Sequence, residues 1–305
     1  MTRVLVGLFL AGLITIPVHA QDSGLAFLSI GVDAEALSVG DQGVASARGA
    51  FATYWNPAGM VAGGNQSLGI SHHRWIADVR TYAASGVIRR GSRSAFGAFI
   101  TATDSGDLEA RQAPGASDGA FTAQFVSAGA SFARSFGNVR VGATGKFISE
   151  RIFAQSANGF AVDAGMQWDL LGDGLHVGAA LSNVGRMSDL NAEATKLPRL
   201  IRVGGAFYPF RVLADLDGAV LLSTGLLVEV SHNTAAERTQ MHIGLTGNVL
   251  ETVSVRAGYL SNDELRDFSA GLGVTQGTLA LDYAVLPFSD GFGGPAHILT
   301  VAYGF

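Results

Sequence analysis

Val139-Arg140-Val141-Gly142-Ala143-Thr144-Gly145-Lys146-Phe147 changes character at every step. Val139, Val141, Ala143, Gly145 and Phe147 fall on one face, Arg140, Gly142, Thr144 and Lys146 on the other. This is the period of a strand with one apolar and one polar face. The pattern recurs. Val162, Ala164, Met166 and Trp168 oppose Asp163, Gly165, Gln167 and Asp169. Val253, Val255, Ala257 and Tyr259 oppose Ser254, Arg256 and Gly258, and Leu279, Leu281, Tyr283 and Val285 oppose Ala280, Asp282 and Ala284. A soluble sandwich also alternates. Here, however, the second face mixes charges of both signs with many glycines and has few long, flexible charged side chains. The expected fold is all-β: a transmembrane up-and-down antiparallel β-barrel of about fourteen strands with an N-terminal plug.

The strands are expected near residues 65–75, 79–90, 93–104, 120–136, 139–152, 158–171, 175–187, 197–210, 218–232, 237–248, 251–261, 266–276, 278–288 and 295–305. Short connections are expected at Gly91-Ser92, Gly137-Asn138, Gly172-Asp173-Gly174, Gly247-Asn248 and Gln276-Gly277, most pairing Gly with residues that favour tight hairpins. Long ones are expected at Asp104–Gly119, Ile152–Asn158, Gly185–Lys196, Ser231–Glu237, Ser261–Arg266 and Pro287–Pro295. Short and long interleave, as in a barrel with tight turns on one rim and loops on the other. Arg211–Asp217 reads slightly long for a turn, and Ile76–Asp78 short for a loop.

Composition agrees. Of 305 residues, 41 are Gly, 48% are hydrophobic and only 15% are charged, against roughly 25% charged in an average globular domain. No internal run of about 20 apolar residues supplies a spanning helix, and lipid admits only helices or closed barrels. The net charge of −5, without a basic block, argues against nucleic acid as a partner. Arg3, then the apolar run Val4–Ile16, then Pro17-Val18-His19-Ala20 read as a secretory signal peptide, residues 1–20, cut after Ala20. The compartment expected is the outer membrane of a Gram-negative bacterium, with its lipid as solvent. The absence of cysteine excludes thiol chemistry and a disulfide framework.

The chain ends Leu299-Thr300-Val301-Ala302-Tyr303-Gly304-Phe305. Val301, Tyr303 and Phe305 share a face and end on an aromatic ring, which resembles the C-terminal signal read by the barrel-assembly machinery, expected here as a partner. Residues 21–64 do not alternate cleanly. They read as short helix and turn, with Asn56-Pro57 favouring a helix entry or turn. A barrel this wide is not filled by its own side chains, so 21–64 is expected to plug the lumen, leaving 65–305 as the barrel.

Chemical motifs are sparse, and no cofactor is expected. His72 and His73, adjacent on a strand, point to opposite faces and cannot share a metal. Asp104, Asp107 and Glu109 match no strict calcium loop, and no metal site is expected. Gly271 and Gly273 lack a βαβ context for nucleotide binding and are read as places where a plug approaches the wall. Arg140, Lys146, Asp163, Asp169, Arg202, Glu229, Arg256 and Asp282 would face inward. Two readings stand: a lining that selects a solute, or cross-strand ion pairs that hold plug and wall together, the second favoured, with Lys146–Asp163 as the leading pair.

Phe27-Leu28-Ser29-Ile30-Gly31-Val32 followed by Thr53-Tyr54-Trp55-Asn56-Pro57-Ala58-Gly59-Met60 resembles the PorV/PorQ family of outer-membrane barrels. His72-His73-Arg74-Trp75, Gly142 through Lys146 to Glu150, Leu197-Pro198 with Arg202-Val203-Gly204, Arg256-Ala257-Gly258-Tyr259 and Asp282-Tyr283-Ala284 fit its strands. That family is similar in fold to the long-chain fatty-acid transporters, whose hatch carries an Asn-Pro-Ala motif. The resemblance therefore implies a hatch role for Tyr54, Trp55, Asn56, Pro57, Ala58 and Gly59. Some members serve type IX secretion. The chain departs from the pattern at Leu245-Thr246, at His297-Ile298, and in having only Lys146 and Lys196 as lysines. The functions implied are a non-enzymatic scaffold or transport/secretion component with a partner protein, or alternatively a passive uptake channel for a hydrophobic solute. An outer-membrane enzyme would need a nucleophile–base pair at one rim, and no such pair is visible.

Overall fold

A computed structural model describes residues 25–110, 119–172, 174–190, 193–209, 222–249, 252–289 and 293–305. The leader expected over 1–20 and the connection Arg211–Asp217 lie outside them. The strands are β1 (Gln66–Arg74), β2 (Arg80–Arg90), β3 (Ser94–Asp104), β4 (Leu108–Ala110), β5 (Gly119–Phe121), β6 (Ala123–Phe136), β7 (Val139–Ile152), β8 (Gln155–Asp169), β9 (Leu175–Met187), β10 (Asp189–Leu190), β11 (Glu193–Ala194), β12 (Leu200–Phe207), β13 (Leu222–Asn233), β14 (Arg238–Val249), β15 (Val253–Leu260), β16 (Phe268–Gln276), β17 (Leu279–Leu286) and β18 (Ala296–Gly304). β4–β5 and β10–β11 are small hairpins in long connections; the other fourteen strands form one closed antiparallel barrel in sequence order, with β18 pairing back to β1.

Closure runs in register from Ser67↔Gly304 to Arg74↔His297. It is finished by reciprocal bonds from Gln66 N to Phe305 O, 2.9 Å, and Phe305 N to Gln66 O, 3.0 Å. The outward rows are apolar and bare: Phe160 is 70% and Ile70 62% exposed, and Phe96, Val203, Phe268 and Leu272 are exposed too. A continuous apolar exterior of this kind requires hydrocarbon around it. The protein is a multi-pass outer-membrane β-barrel.

Most connections fall as the alternation predicts, with instructive exceptions. Ile152–Asn158 is not a long loop. β7 and β8 run on and join through Phe153-Ala154, Phe153 taking φ 55°. The ladder Ile152↔Gln155 to Glu150↔Ala157 replaces loop with paired strand, which satisfies more backbone groups than a loop would. Gly247-Asn248 is not a turn but lies inside β14, opposite Val255 and Ser254; β14 ends at Val249 and β15 begins at Val253. Gly185 to Met187 continue β9. Ile76–Asp78 is a short turn, Ala77 and Asp78 both having positive φ. At Gly91, Gly137, Gly172 and Gly277 φ is 56–64°, where glycine carries no Cβ penalty.

Among the described residues the barrel sheet has one register shift, between Val162 and Ala164 of β8, opposite Asn183 at φ 63°. Asp163 sits at this bulge. Its Oδ1 accepts from Asn183 N at 2.7 Å and its Oδ2 from Lys146 Nζ at 2.8 Å. Both side chains of the ion pair are buried. Removing one partner alone strands a buried charge, costing about 3–5 kcal/mol, whereas replacing both by apolar groups is nearly neutral. Single Lys146→Met and Asp163→Leu variants are therefore expected to lower the unfolding midpoint of the detergent-solubilised barrel strongly, and the double variant much less. A double-mutant cycle without coupling contradicts this assignment.

Candidate functional site

The lumen is occupied by residues 25–64, whose local structure follows from two caps. Asp33 is extended and accepts from Ala36 N at 3.0 Å, starting α1 (Ala34–Ser38). Asn56, also extended, accepts from Ala58 N at 3.2 Å and starts a 3-10 helix, Pro57–Ala62, with Pro57 at its first position. Between them lies α2 (Ala52–Trp55). The segment is a packed element: Leu37, Val44, Trp55, Ala58 and Met60 are all buried.

The wall meets this segment with glycines. A Cβ on Gly165 would collide with Asn56 Oδ1, one on Gly142 with Pro57, one on Gly178 with Val44 O, and one on Gly258 with Gly40 N. All four lie on the inward face, so the mixture of charge and glycine on that face has a steric cause. Gly271 likewise faces Ser38 of α1, whereas Gly273 does not meet the plug: it leaves room for Arg256 and Asp282 to reach each other over β16.

In the Tyr54–Gly59 motif, Tyr54 and Asn56 hold backbone carbonyls. Tyr54 OH donates to Ile30 O at 2.6 Å. Asn56 Nδ2 donates to Val44 O at 2.7 Å inside the plug and to Met166 O at 3.0 Å on β8. Trp55, 1% exposed, lies at the centre. Its Nε1 donates to Asp33 Oδ1 at 2.7 Å, Arg202 stands 5.3 Å over its ring, and Gly31 and Gly43 pack against it. Pro57, Ala58 and Gly59 are buried in the turn that follows.

The inward charges form separate clusters rather than one network. Arg140 grips Asp169 with two 2.6 Å bonds, and His176 shares that carboxylate. Arg202 lies 3.4 Å from Glu229, whose other oxygen accepts from the Gly43 and Val44 amides at 3.0 and 2.9 Å. Arg256 pairs with Asp282 at 2.6 Å and stands 3.7 Å from Glu35 of the plug. One latch was not legible in the sequence: Arg266, in the connection before β16, pairs with Asp41 of the plug at 2.5 Å, and Asp41 also accepts from Gly31 N at 3.0 Å. Val301 and Tyr303 lie on the closing strand and Phe305 just past its end, with the Tyr303 and Phe305 rings 5.3 Å apart.

Among the described residues, two cavities flank the plug. One of about 430 Å³ opens toward the long-loop rim, walled by Phe27, Ile30, Val32, Trp75, Phe125 and Phe288. His73 and Arg266 also line it, and His73 Nδ1 and Arg266 Nη1 are buried without a hydrogen-bond partner. His73 Nε2 lies 3.0 Å from the Val32 carbonyl, so it carries the proton and leaves Nδ1 an acceptor. The second cavity, about 260 Å³, opens toward the short-turn rim, where Ser67, Thr278 and Gly304 line it; Asp33 and Trp55 bound it from the plug side. Gly31 to Asp33 and Trp55 form the septum between them.

Burial raises the Asp33 carboxyl to about 7, against the lowering effect of the Trp55 and Ala36 N–H groups, with the neighbouring Glu35 and Asp282 carboxylates pushing the same way as burial. Its folded value lies above its unfolded one of roughly 3.9. The stability it contributes is complete below the unfolded value and is lost as pH rises through about 7. Protease nicking within residues 25–64 is expected to increase between pH 6 and 8, and Asp33→Asn to flatten that rise. Independently, Gly165→Val is expected to displace Asn56 and cost about 1–3 kcal/mol, read as easier cleavage of the same segment.

No curated protein matches the chain in sequence. Residues 18–121 match the family model described as type IX secretion system protein PorV. Among solved structures, the fold is shared with the CymD monoaromatic hydrocarbon channel, at 12% identity and TM-score 0.62 over 91% of this chain and 98% of that one. It is shared with the toluene transporter TodX of Pseudomonas putida, at 12% identity and 0.57 over 90% and 96%, and with a FadL homologue of Pseudomonas aeruginosa, at 12% and 0.52 over 95% and 99%. The resemblance to the PorV/PorQ family thus holds over the first third of the chain, and the described chain as a whole has the fold of the FadL-like outer-membrane barrels.

Proposed function

We propose that this barrel is a non-enzymatic transport component that admits a hydrophobic small molecule at the long-loop rim and passes it across residues 21–64, which act as a hatch. The observation that carries the reading is the apolar cavity above Val32, lined by Gly31 and Val32, with a second cavity lined by the adjoining Asp33 and by Trp55. Aromatic walls suit an apolar body, and few placed polar groups suit orientation. Arg266 Nη1 and His73 Nδ1 offer one donor and one acceptor to a single polar group on that body. The shared fold with a hydrocarbon channel and a toluene transporter supports this. Val301, Tyr303 and Phe305 fit the proposed role of assembly signal, since the strand they end is the one that must close the barrel.

The match to the PorV model favours a second reading, a secretion component with a protein partner. The two readings separate experimentally. With a neutral aromatic fluorophore as probe, Val32→Trp is expected to abolish binding to the purified barrel while leaving its melting unchanged, and Trp55→Ala to speed dye entry into cells. Unchanged binding in Val32→Trp, together with an exported protein that co-purifies with the full chain, overturns uptake in favour of secretion.

A further inference from the structure

The outer wall carries a charged row that neither the lumen nor the plug explains. Register places Arg74 of β1 directly opposite Arg80 of β2. On the flanks, Arg74 faces His297 of β18 and Arg80 faces Asp104 of β3. All four belong to the outward row of their strands, at the long-loop end. The row continues through Gln124 of β6 to Arg151 of β7. It therefore carries three arginines against one aspartate.

Like charges directly opposite across two strands are destabilising. Both guanidiniums are nevertheless exposed, and among the described residues neither forms an ion pair. Asp104 forms no ion pair with either of them. It accepts instead from Gly106 N at 2.9 Å and Gln124 Nε2 at 3.2 Å. Among the described residues, then, no carboxylate pairs with either arginine. Immediately toward the membrane the wall is dented. Ala84 and Ala102 are small, while Ile70, Tyr82, Ile100 and Leu299 stand around them, enclosing an apolar groove of about 390 Å³ on the lipid side. The His72 and Tyr82 rings pack at a tilt, 4.8 Å apart, between groove and arginines.

We infer that this face binds a phosphorylated, acylated glycolipid of the outer leaflet, with a phosphate between Arg74 and Arg80 and an acyl chain in the groove below. Guanidinium groups match phosphate oxygens in a bidentate fork, and a phosphate between them removes the like-charge repulsion. The vertical order, cation above and apolar groove beneath, is that of a lipid head and tail. The long-loop rim faces outward from the cell, which selects the outer leaflet over the inner one.

The test uses the purified full-length barrel and, as probe, a multiply acylated glucosamine disaccharide bearing two phosphates, with bound phosphorus measured after washing and the unfolding temperature measured alongside. The wild-type barrel is expected to retain the lipid and melt higher in its presence. Arg74→Gln/Arg80→Gln is expected to weaken retention at least about tenfold, the loss of two charge-assisted contacts. Ala84→Phe/Ala102→Phe, which fills the groove and keeps the charges, is expected to weaken it as well. Arg90→Gln/Arg134→Gln, at the opposite rim, leaves retention unchanged. Equal retention by the Arg74/Arg80 variant, by a dephosphorylated probe, or of an anionic glycerophospholipid in place of the probe overturns the proposal.

Discussion

In hydrocarbon a backbone N–H or C=O without a partner costs several kcal/mol, because no water replaces the lost bond. Everything else in this protein depends on how that demand is met along one seam, where β18 pairs with β1 over Ser67↔Gly304 to Arg74↔His297. Without the seam, both edge strands would present unpaired amides to lipid. With it, every barrel strand has two neighbours, and a wall whose outer face is apolar can stand in the membrane.

Closure at this strand number creates a second problem, a lumen too wide for side chains from the wall to fill. The chain solves it with its own N-terminal segment, and the solution reverses the usual logic of a core. Inward glycines admit backbone, and inward charges bind backbone. Glu229 takes two plug amides while holding Arg202, and Asp41 takes Gly31 N while holding Arg266. Buried ion pairs are costly in isolation. At Glu229 the remaining lone pairs are spent on the plug, so one carboxylate holds wall to wall and wall to plug. The septum these contacts fix, with Trp55 at its centre, separates two cavities that face opposite rims.

The tight turn at Phe153-Ala154 and the unbroken pairing at Gly247-Asn248 show where local reasoning is weakest. A Gly-Asn pair favours a turn only when the strands do not offer better. Opposite Val255 and Ser254 they do, and β14 runs through it. Gln155 to Asn158 is polar and reads as loop, yet the extended β7 ladder pairs it. In both places the hydrogen bonds of the neighbouring strand outweigh the preference of the residues themselves.

The strands, their inward and outward faces and the contrast between the rims were legible in the amino-acid order, because a period of two is a local property and hydrophobicity reports it directly. The diagonal pair Lys146–Asp163 was legible for the same reason, since adjacent hairpin strands keep sequence neighbours close. Beyond sequence reasoning lay contacts such as Asp41 with Arg266, 225 residues apart. Beyond it too lay which inward glycine receives Asn56, which receives Gly40, and where the two cavities open. These depend on how the plug is threaded through a finished cylinder. Nothing local encodes them, because each requires the barrel to have closed before the contact can exist.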